Sequence, residues 1–262
     1  MDIIDFENIN VGYNEKIILK DITLKIKQNE HWAILGANGS GKSTLMKIIQ
    51  SELHPRRTNE FKKEILGKSN YSIFELKKEL GIITNDLHNF FSQSGSYLNG
   101  YEVTLSGYYS SIGIFSHQDF TEEQHDKAEE VINYLRIEHL KEKKVAAMST
   151  GELRKCIVAR ALIHDPKAFI LDEPTVGLDI KAQINFISML KKLSKNCSII
   201  LVTHHLEEIF EEINNIALIH KNTIYKSGDK KEILTSENLS EIFDTKLHIN
   251  EKNGRYFVEE IG

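Results

Sequence analysis

The sequence is short of cysteine, of long apolar runs and of concentrated positive charge. Two cysteines, Cys156 and Cys197, stand in 262 residues. That excludes a disulfide scaffold and fits reduced thiols of the cytosol. No stretch approaches the length of apolar chain that a membrane-spanning helix needs. Lys and Arg number 33 against 38 Asp and Glu, a net charge of −5, with both signs mixed along the chain. With no basic tail and no Lys/Arg-rich face, nucleic acid is not expected as a partner. The first residues, Met1-Asp-Ile-Ile-Asp-Phe-Glu7, carry acid where a secretory leader carries base. Internal repeats and low-complexity tracts are absent. These absences leave the expectation of a soluble, cytoplasmic chain, 40% hydrophobic, with one large domain or one domain with a subdomain, that reaches a membrane only by docking.

The densest signal is Gly36-Ala37-Asn38-Gly39-Ser40-Gly41-Lys42-Ser43-Thr44, a phosphate-binding loop of the pattern G-x-x-x-x-G-K-[ST]. Glycines let successive backbone N–H groups turn toward phosphate oxygens. The start of a following helix adds unpaired N–H groups and the positive end of its dipole. Lys42 is expected to reach the β- and γ-phosphates and Ser43 to hold Mg²⁺. The flanks suit the motif: His31 to Leu35 reads as a short buried strand and Ser43 to Gln50 as a helix.

Around this loop the chain reads as strands alternating with helices. Ile22, Leu24 and Ile26 alternate with polar residues, a half-buried strand. Gly12-Tyr13-Asn14 breaks the run before it, and Tyr13 is either an ordinary half-buried tyrosine or a stacking surface for a nucleobase. A polar connection over 51–59 leads to a short strand and turn at Glu64 to Gly67. Ser72 and Glu75 form a capping box for a helix through Leu80. Gly81 to Asn85 then reads as a strand with a polar end. Residues 86–149 are less regular. Thr121 and Gln124 cap a helix with Ala128, Val131, Ile132 and Leu135 on one face, its acids early and its lysines late. Ser149 and Glu152 cap another that runs to Ile163. Apolar strands at Ala168 to Leu171, Ser198 to Val202 and Ile216 to Ile219 follow, with a helix buried through Phe186, Met189, Leu190 and Leu193 after the first. A tail beyond Asp229 carries short helices and a hairpin turning at Asn253-Gly254. The predicted fold is α/β with a mostly parallel sheet covered on both faces.

Asp172 and Glu173 close an apolar strand, the end at which parallel sheets bind ligands. Asp172 fits a group that reaches Mg²⁺ through water. Glu173 is placed to orient or deprotonate an attacking water. His204, after the next strand, contacts the γ-phosphate or is a surface histidine. A metal site with His205 is not expected, because adjacent strand side chains point to opposite faces. GTP is disfavoured by the lack of an N-K-x-D segment.

Met148-Ser149-Thr150-Gly151-Glu152, then Asp172-Glu-Pro-Thr-Val-Gly-Leu-Asp179, then Thr203-His204 resemble the ATP-binding-cassette (ABC) ATPases over about residues 1–228. The resemblance implies a P-loop NTPase core, an N-terminal antiparallel β subdomain, an inserted helical subdomain at about 86–165 and a tail at 229–262. It implies ATP hydrolysis with Mg²⁺, Tyr13 stacking on adenine, Asp172 on the Mg²⁺ side, Glu173 as the catalytic carboxylate and His204 as the γ-phosphate switch. Asp179 belongs to the loop coupling two sites. Ser149, Thr150, Gly151 and Glu152 form the signature that touches ATP bound to the opposite subunit, so ATP joins a head-to-tail homodimer. The usual Leu-Ser-Gly-Gly-Gln is altered at Thr150 and Glu152, and the usual Mg²⁺-sensing glutamine is Asn85. Val103 to Ile114 and Thr203 to Glu208 resemble a branch related to molybdate-type and metal-chelate-type importers, and the tail is similar to that of the latter. The implied function is the ATPase subunit of an importer with a separate transmembrane permease, held peripherally on the cytoplasmic face. The alternative is a soluble ABC ATPase that clamps a protein or nucleic-acid assembly.

Overall fold

The computed structural model describes residues 1–13, 16–56, 60–252 and 254–261. In chain order its elements are β1 (Asp2–Tyr13), β2 (Lys16–Lys27), β3 (Trp32–Leu35), α1 (Lys42–Ile49), β4 (Lys62–Ile65), α2 (Ile73–Glu79) and β5 (Leu80–Ile83). The helices α3 (Asn85–Ser94), α4 (Gly100–Leu105), α5 (Glu122–Leu135) and α6 (Thr150–Leu162) come next. The chain continues through β6 (Ala168–Asp172), α7 (Ile180–Leu193), β7 (Ser198–Thr203), β8 (Asn215–His220) and β9 (Thr223–Asp229). It closes with α8 (Lys230–Ile233), α9 (Ser236–Ile242), β10 (Leu247–Lys252) and β11 (Arg255–Ile261).

Six strands form the central sheet in the order β5-β6-β7-β3-β8-β9, parallel except for β9. Its five parallel strands are apolar on both faces because both faces are covered. Alternate residues go to different cores: Ala33, Phe169, Leu171, Ile199 and Leu201 pack with α6 and α7, while Trp32, Ile34, Ile170, Ile200 and Val202 pack with α1 and the N-terminal strands. That second sheet is antiparallel, in the order β2-β1-β4. The buried Asp5 in its middle strand accepts from Lys62 at 2.7 Å and Lys25 at 3.0 Å, one from each neighbouring strand. The Lys62 hydrogen bond first, against the cost of burial, and Lys25 after it hold the Asp5 carboxyl below its ordinary range.

Several local expectations shift. The expected break at Gly12-Tyr13 does not end the strand, which runs through Tyr13. β5 stops at Ile83; Thr84 caps α3 by accepting from the Leu87 N–H at 3.2 Å, so Asn85 begins a helix and is not the end of a strand. α5 has no base in its last turn; its C-cap Arg136 takes a left-handed φ of 57°, its one lysine, Lys127, lies mid-helix, and Lys141, Lys143 and Lys144 fall beyond it. In the tail, Leu247 and Tyr256 are buried in the same core as α7. Asn14, residues 57–59 and Asn253, which belonged to expected loops, lie outside the described residues.

Candidate functional site

β3 delivers the chain into the phosphate loop and α1 takes it out. Gly41 is the N-cap of α1 at φ 108°, with no side chain capping the helix. The first N–H groups of such a helix lack intrahelical partners, so this end is open to an anion. A Cβ on Gly41 would sit 2.4 Å from Leu19 Cδ2, and one on Gly36 2.6 Å from the Ile219 carbonyl oxygen. Only glycine fits between the loop and its walls. The buried Ser40 hydroxyl has no partner among the described residues. Lys42 Nζ donates to the carbonyls of Gly36 at 2.8 Å and Ala37 at 3.1 Å. Burial pulls this ammonium below its ordinary pKa, against the pull of Glu173 and Asp172.

Ser43, Asn85 and Asp172 line one cavity of about 230 Å³ beside α1. Asp172 ends β6, and its carboxyl is pushed up to about 6, by burial first and by the adjacent Glu173 second. A cation placed here would reverse both effects. A divalent ion that keeps several waters and takes its remaining oxygens from phosphate needs only one or two such protein ligands. No group of three or more His, Cys, Asp or Glu suited to a metal occurs among the described residues.

The raised carboxyl has a measurable consequence. The folded protein holds a proton on Asp172 that the unfolded chain releases between about pH 4 and pH 6, so its stability falls as pH rises through that window. Asp172→Asn is expected to remove this slope and to raise the apoprotein's Tm near pH 7, read by thermal unfolding across the window. An unchanged slope would show that Asp172 does not carry the proton.

Glu173 follows the strand in a left-handed conformation, φ 46°, which costs a residue with a side chain roughly 1–2 kcal/mol. Its Oε1 lies 2.6 Å from His204 Nδ1. A carboxylate only accepts, so Nδ1 carries the hydrogen and Nε2 is the free ring nitrogen. His204 lies one residue past the end of β7, where strand alternation no longer holds. Its ring is therefore not opposed to that of His205: the centroids are 3.9 Å apart, contrary to the opposite-face expectation.

The signature residues gather elsewhere. Ser149 caps α6, accepting from the Glu152 N–H at 3.3 Å while its own N–H donates to Glu152 Oε2 at 2.8 Å. Lys143 Nζ lies 2.8 Å from the same oxygen. Burial would raise the Glu152 carboxyl, but Lys143 and the Ser149 N–H outweigh it and hold the group below its ordinary range. The charge expected at Glu152 is thus neutralised within the subunit. Asp179 caps α7 by accepting from the Ala182 N–H at 2.8 Å, and a Cβ on Gly151 would be 3.2 Å from Ala182 Cβ. The first turns of α6 and α7 meet there. Among the described residues, none of Ser149 to Glu152 lines the cavity at Ser43 and Asp172. Tyr13, 45% exposed, is the last residue of β1 and pairs with Lys16 at the turn end of the β1–β2 hairpin, and Leu19 of that hairpin is what abuts Gly41.

Sequence reasoning missed Arg154 and Glu208. Arg154 is 4% exposed and donates to Asn85 Oδ1 at 2.8 Å, the Glu173 carbonyl at 3.2 Å and the Val176 carbonyl at 2.7 Å. Glu208, 2% exposed, accepts from the Thr175 N–H at 2.8 Å. The signal for Arg154 was there: it shares a helical stripe with Gly151, Ile157 and Val158, and a cation on an apolar stripe must have partners.

The family described as ABC transporter matches residues 19–176. YlmA of Bacillus subtilis (strain 168), an uncharacterised ABC transporter ATP-binding protein, is 32% identical over 98% of this chain and 96% of its own length. Among solved structures, an inward-facing ABC transporter described as of metal-chelate type superposes with a TM-score of 0.79 at 24% identity, covering 98% of this chain and 96% of its own. The ATP-binding cassette MJ0796, as a post-hydrolysis dimer bound to ADP and Pi, is 25% identical with a TM-score of 0.66, covering 86% of this chain and 98% of its own.

Proposed function

The chain belongs to the ABC transporter family as an ATP-binding ATPase subunit, and from that membership we propose that it works as a head-to-tail homodimer whose ATP-driven closure powers import through a separate membrane permease. The observation that carries the dimer is the division of the site: among the described residues, the signature at the start of α6 does not line the Ser43–Asp172 cavity of its own subunit. Each signature then completes the site of the other copy, with Ser149 and the N–H groups of the α6 start on the γ-phosphate.

The residues present fit Mg·ATP. The open end of α1, the unpartnered Ser40 hydroxyl and Lys42 suit a polyphosphate. Ser43 and Asp172 would hold Mg²⁺, which supplies neutralisation of charge on the phosphoryl oxygens. Tyr13 stacks on the adenine. Glu173 orients the water and takes its proton, while His204, bonded to Glu173 Oε1, fixes the carboxylate and turns Nε2 toward the phosphate. Asp179, capping the helix that touches Gly151, couples the two sites.

No helix among the described residues is long and apolar enough to cross a membrane. The permease contact falls to a groove of about 250 Å³ between β5 and the α3–α4 segment, lined by Leu87, Phe90, Ile112 and Arg160. Phe90 is 46% exposed there, an apolar anchor of the kind that interfaces use. On this reading the cassette sits peripherally on the cytoplasmic face of the membrane. The resemblance of residues 103–114 and 203–208 to the importer branch supports the direction of transport.

A capture experiment tests the proposal. Tagged Glu173→Gln protein is held in ATP and purified from native cells, with detergent-solubilised membranes separated from cytosol. A dimer of the cassette with a multi-spanning membrane protein at near one-to-one stoichiometry is expected. Ser149→Arg in the same background is expected to bind ATP without forming the dimer. A soluble complex instead would overturn the permease in favour of a clamp on a soluble assembly, and a dimer persisting in Ser149→Arg would overturn the shared site.

A further inference from the structure

We propose that Arg154 is a positioning residue for hydrolysis, holding the Glu173 loop of its own subunit to the signature helix, and that Asn85 serves as its acceptor in place of ligating the cation. The inference rests on Glu173 being the carboxylate that acts on water.

Arg154 lies one turn inside α6, on its buried face. Its guanidinium joins three segments: the start of α3 through Asn85 Oδ1, the end of β6 through the Glu173 carbonyl, and the turn before α7 through the Val176 carbonyl. A planar fork of donors can hold three oxygens in fixed directions, which a lysine ammonium on a flexible stem does not. Two of the three bonds fall on the loop that carries Glu173, and one falls on the carbonyl of Glu173 itself, which stands in the left-handed region. The same loop is held from the other side, where Glu208 Oε1 accepts from the Thr175 N–H at 2.8 Å and its hydroxyl at 2.5 Å. Arg154 Nε and Glu208 Oε2 are both buried without a hydrogen-bond partner among the described residues. Opposite charges thus face residues 173–176 from two sides. The loop that aims the base is clamped between the helix carrying the signature and the segment following His204.

Asn85 follows from the same geometry. A guanidinium offers only hydrogens, so the atom meeting it is the amide oxygen. That oxygen is the one side-chain atom of Asn85 able to ligate a cation. A Mg²⁺ ion bound to it would lie against the buried positive charge of Arg154, and like charges at that range repel. Asn85 also begins α3, so a movement of the helical segment reaches the Glu173 loop through Arg154.

The test compares Arg154→Gln, Arg154→Lys, Asn85→Ala and the double variant Arg154→Gln/Asn85→Ala, with Glu173→Gln as reference. Turnover is followed by phosphate release, and binding by a fluorescent ATP analogue with and without Mg²⁺. Arg154→Gln is expected to lose about 100-fold in kcat, the cost of a misplaced reacting group, with nucleotide affinity unchanged. Arg154→Lys is expected to recover part of the loss. Asn85→Ala is expected to lower kcat without raising the Mg²⁺ concentration needed for half-maximal binding. The double variant is expected to be no worse than the poorer single one, as for residues acting as one unit. Wild-type kcat in Arg154→Gln while Glu173→Gln is inactive would overturn the inference, as would multiplied losses in the double variant or a raised Mg²⁺ requirement in Asn85→Ala. Should Arg154→Gln not fold, that Mg²⁺ titration decides. Full turnover in Glu173→Gln would overturn the underlying assignment of the base.

Discussion

Glu173→Gln is expected to lower ATP turnover by about 10²–10⁴-fold, the usual contribution of a positioned general base, and to leave ATP binding intact. At about 1.36 kcal/mol for each factor of ten, that is roughly 3–5 kcal/mol of lost transition-state stabilisation. The substitution keeps the shape of the side chain and removes its charge and its basicity. Glutamine still presents an oxygen to His204 Nδ1, so the contact now made at 2.6 Å keeps its geometry. The backbone at φ 46° is fixed by its neighbours, Arg154 on the Glu173 carbonyl and Glu208 on Thr175, not by the carboxylate. The uncapped α1 end and Lys42, proposed to hold the phosphates, keep their bonds in this variant, which gives up only the longer-range pull of the Glu173 charge on the Lys42 ammonium. Turnover and binding therefore separate in this variant. Phosphate release and ATP affinity measured on one preparation make the check. Near-normal hydrolysis would remove Glu173 from the role of base, and lost affinity would mean that the carboxylate serves the phosphate loop instead.

Much of this site was legible because its residues are fixed by local rules. The phosphate loop needs glycine where the chain turns into α1, and Gly36 and Gly41 stand where any Cβ would collide. Ser72, Thr121 and Ser149 cap helices that their spacing to Glu75, Gln124 and Glu152 announces. The central strands read as apolar runs because they are buried on both faces. What was not legible depends on contacts between distant segments. Nothing local to Lys62–Ile65 says that it pairs with β1. Asn85 looked like a strand end, since only the Thr84 cap reveals that the helix has begun. The pairing of the His204 and His205 rings follows from β7 ending one residue earlier than alternation assumes. Arg154 was visible as a cation on an apolar stripe, but its three acceptors lie 19 to 69 residues away in sequence and no pattern names them.

Lys42→Ala is expected to weaken ATP binding by about 10- to 100-fold. A hydrogen bond to a charged group contributes roughly 1.5–3 kcal/mol, and 1.4 kcal/mol is about a factor of ten in affinity. The danger in reading such a variant is that lost binding can mean lost folding, and here the two have different signatures. In the apoprotein the Lys42 ammonium is buried and, among the described residues, donates to the neutral carbonyls of Gly36 and Ala37, with Glu173 and Asp172 attracting its charge. Its removal gives up those bonds but also ends the burial of a charge, so the two effects on apoprotein stability oppose each other and its Tm changes little. The nucleotide-induced rise in Tm behaves otherwise. At ligand concentrations about 100 times Kd, binding adds about 2.7 kcal/mol to stability; if Kd rises about 100-fold at the same concentration, the gain falls to about 0.4 kcal/mol. Thermal unfolding with and without Mg·ATP therefore separates the readings. A collapsed apoprotein Tm would mean that Lys42 is structural. A wild-type nucleotide shift would take Lys42 out of the phosphate contact and leave the uncapped end of α1 to hold the phosphates alone.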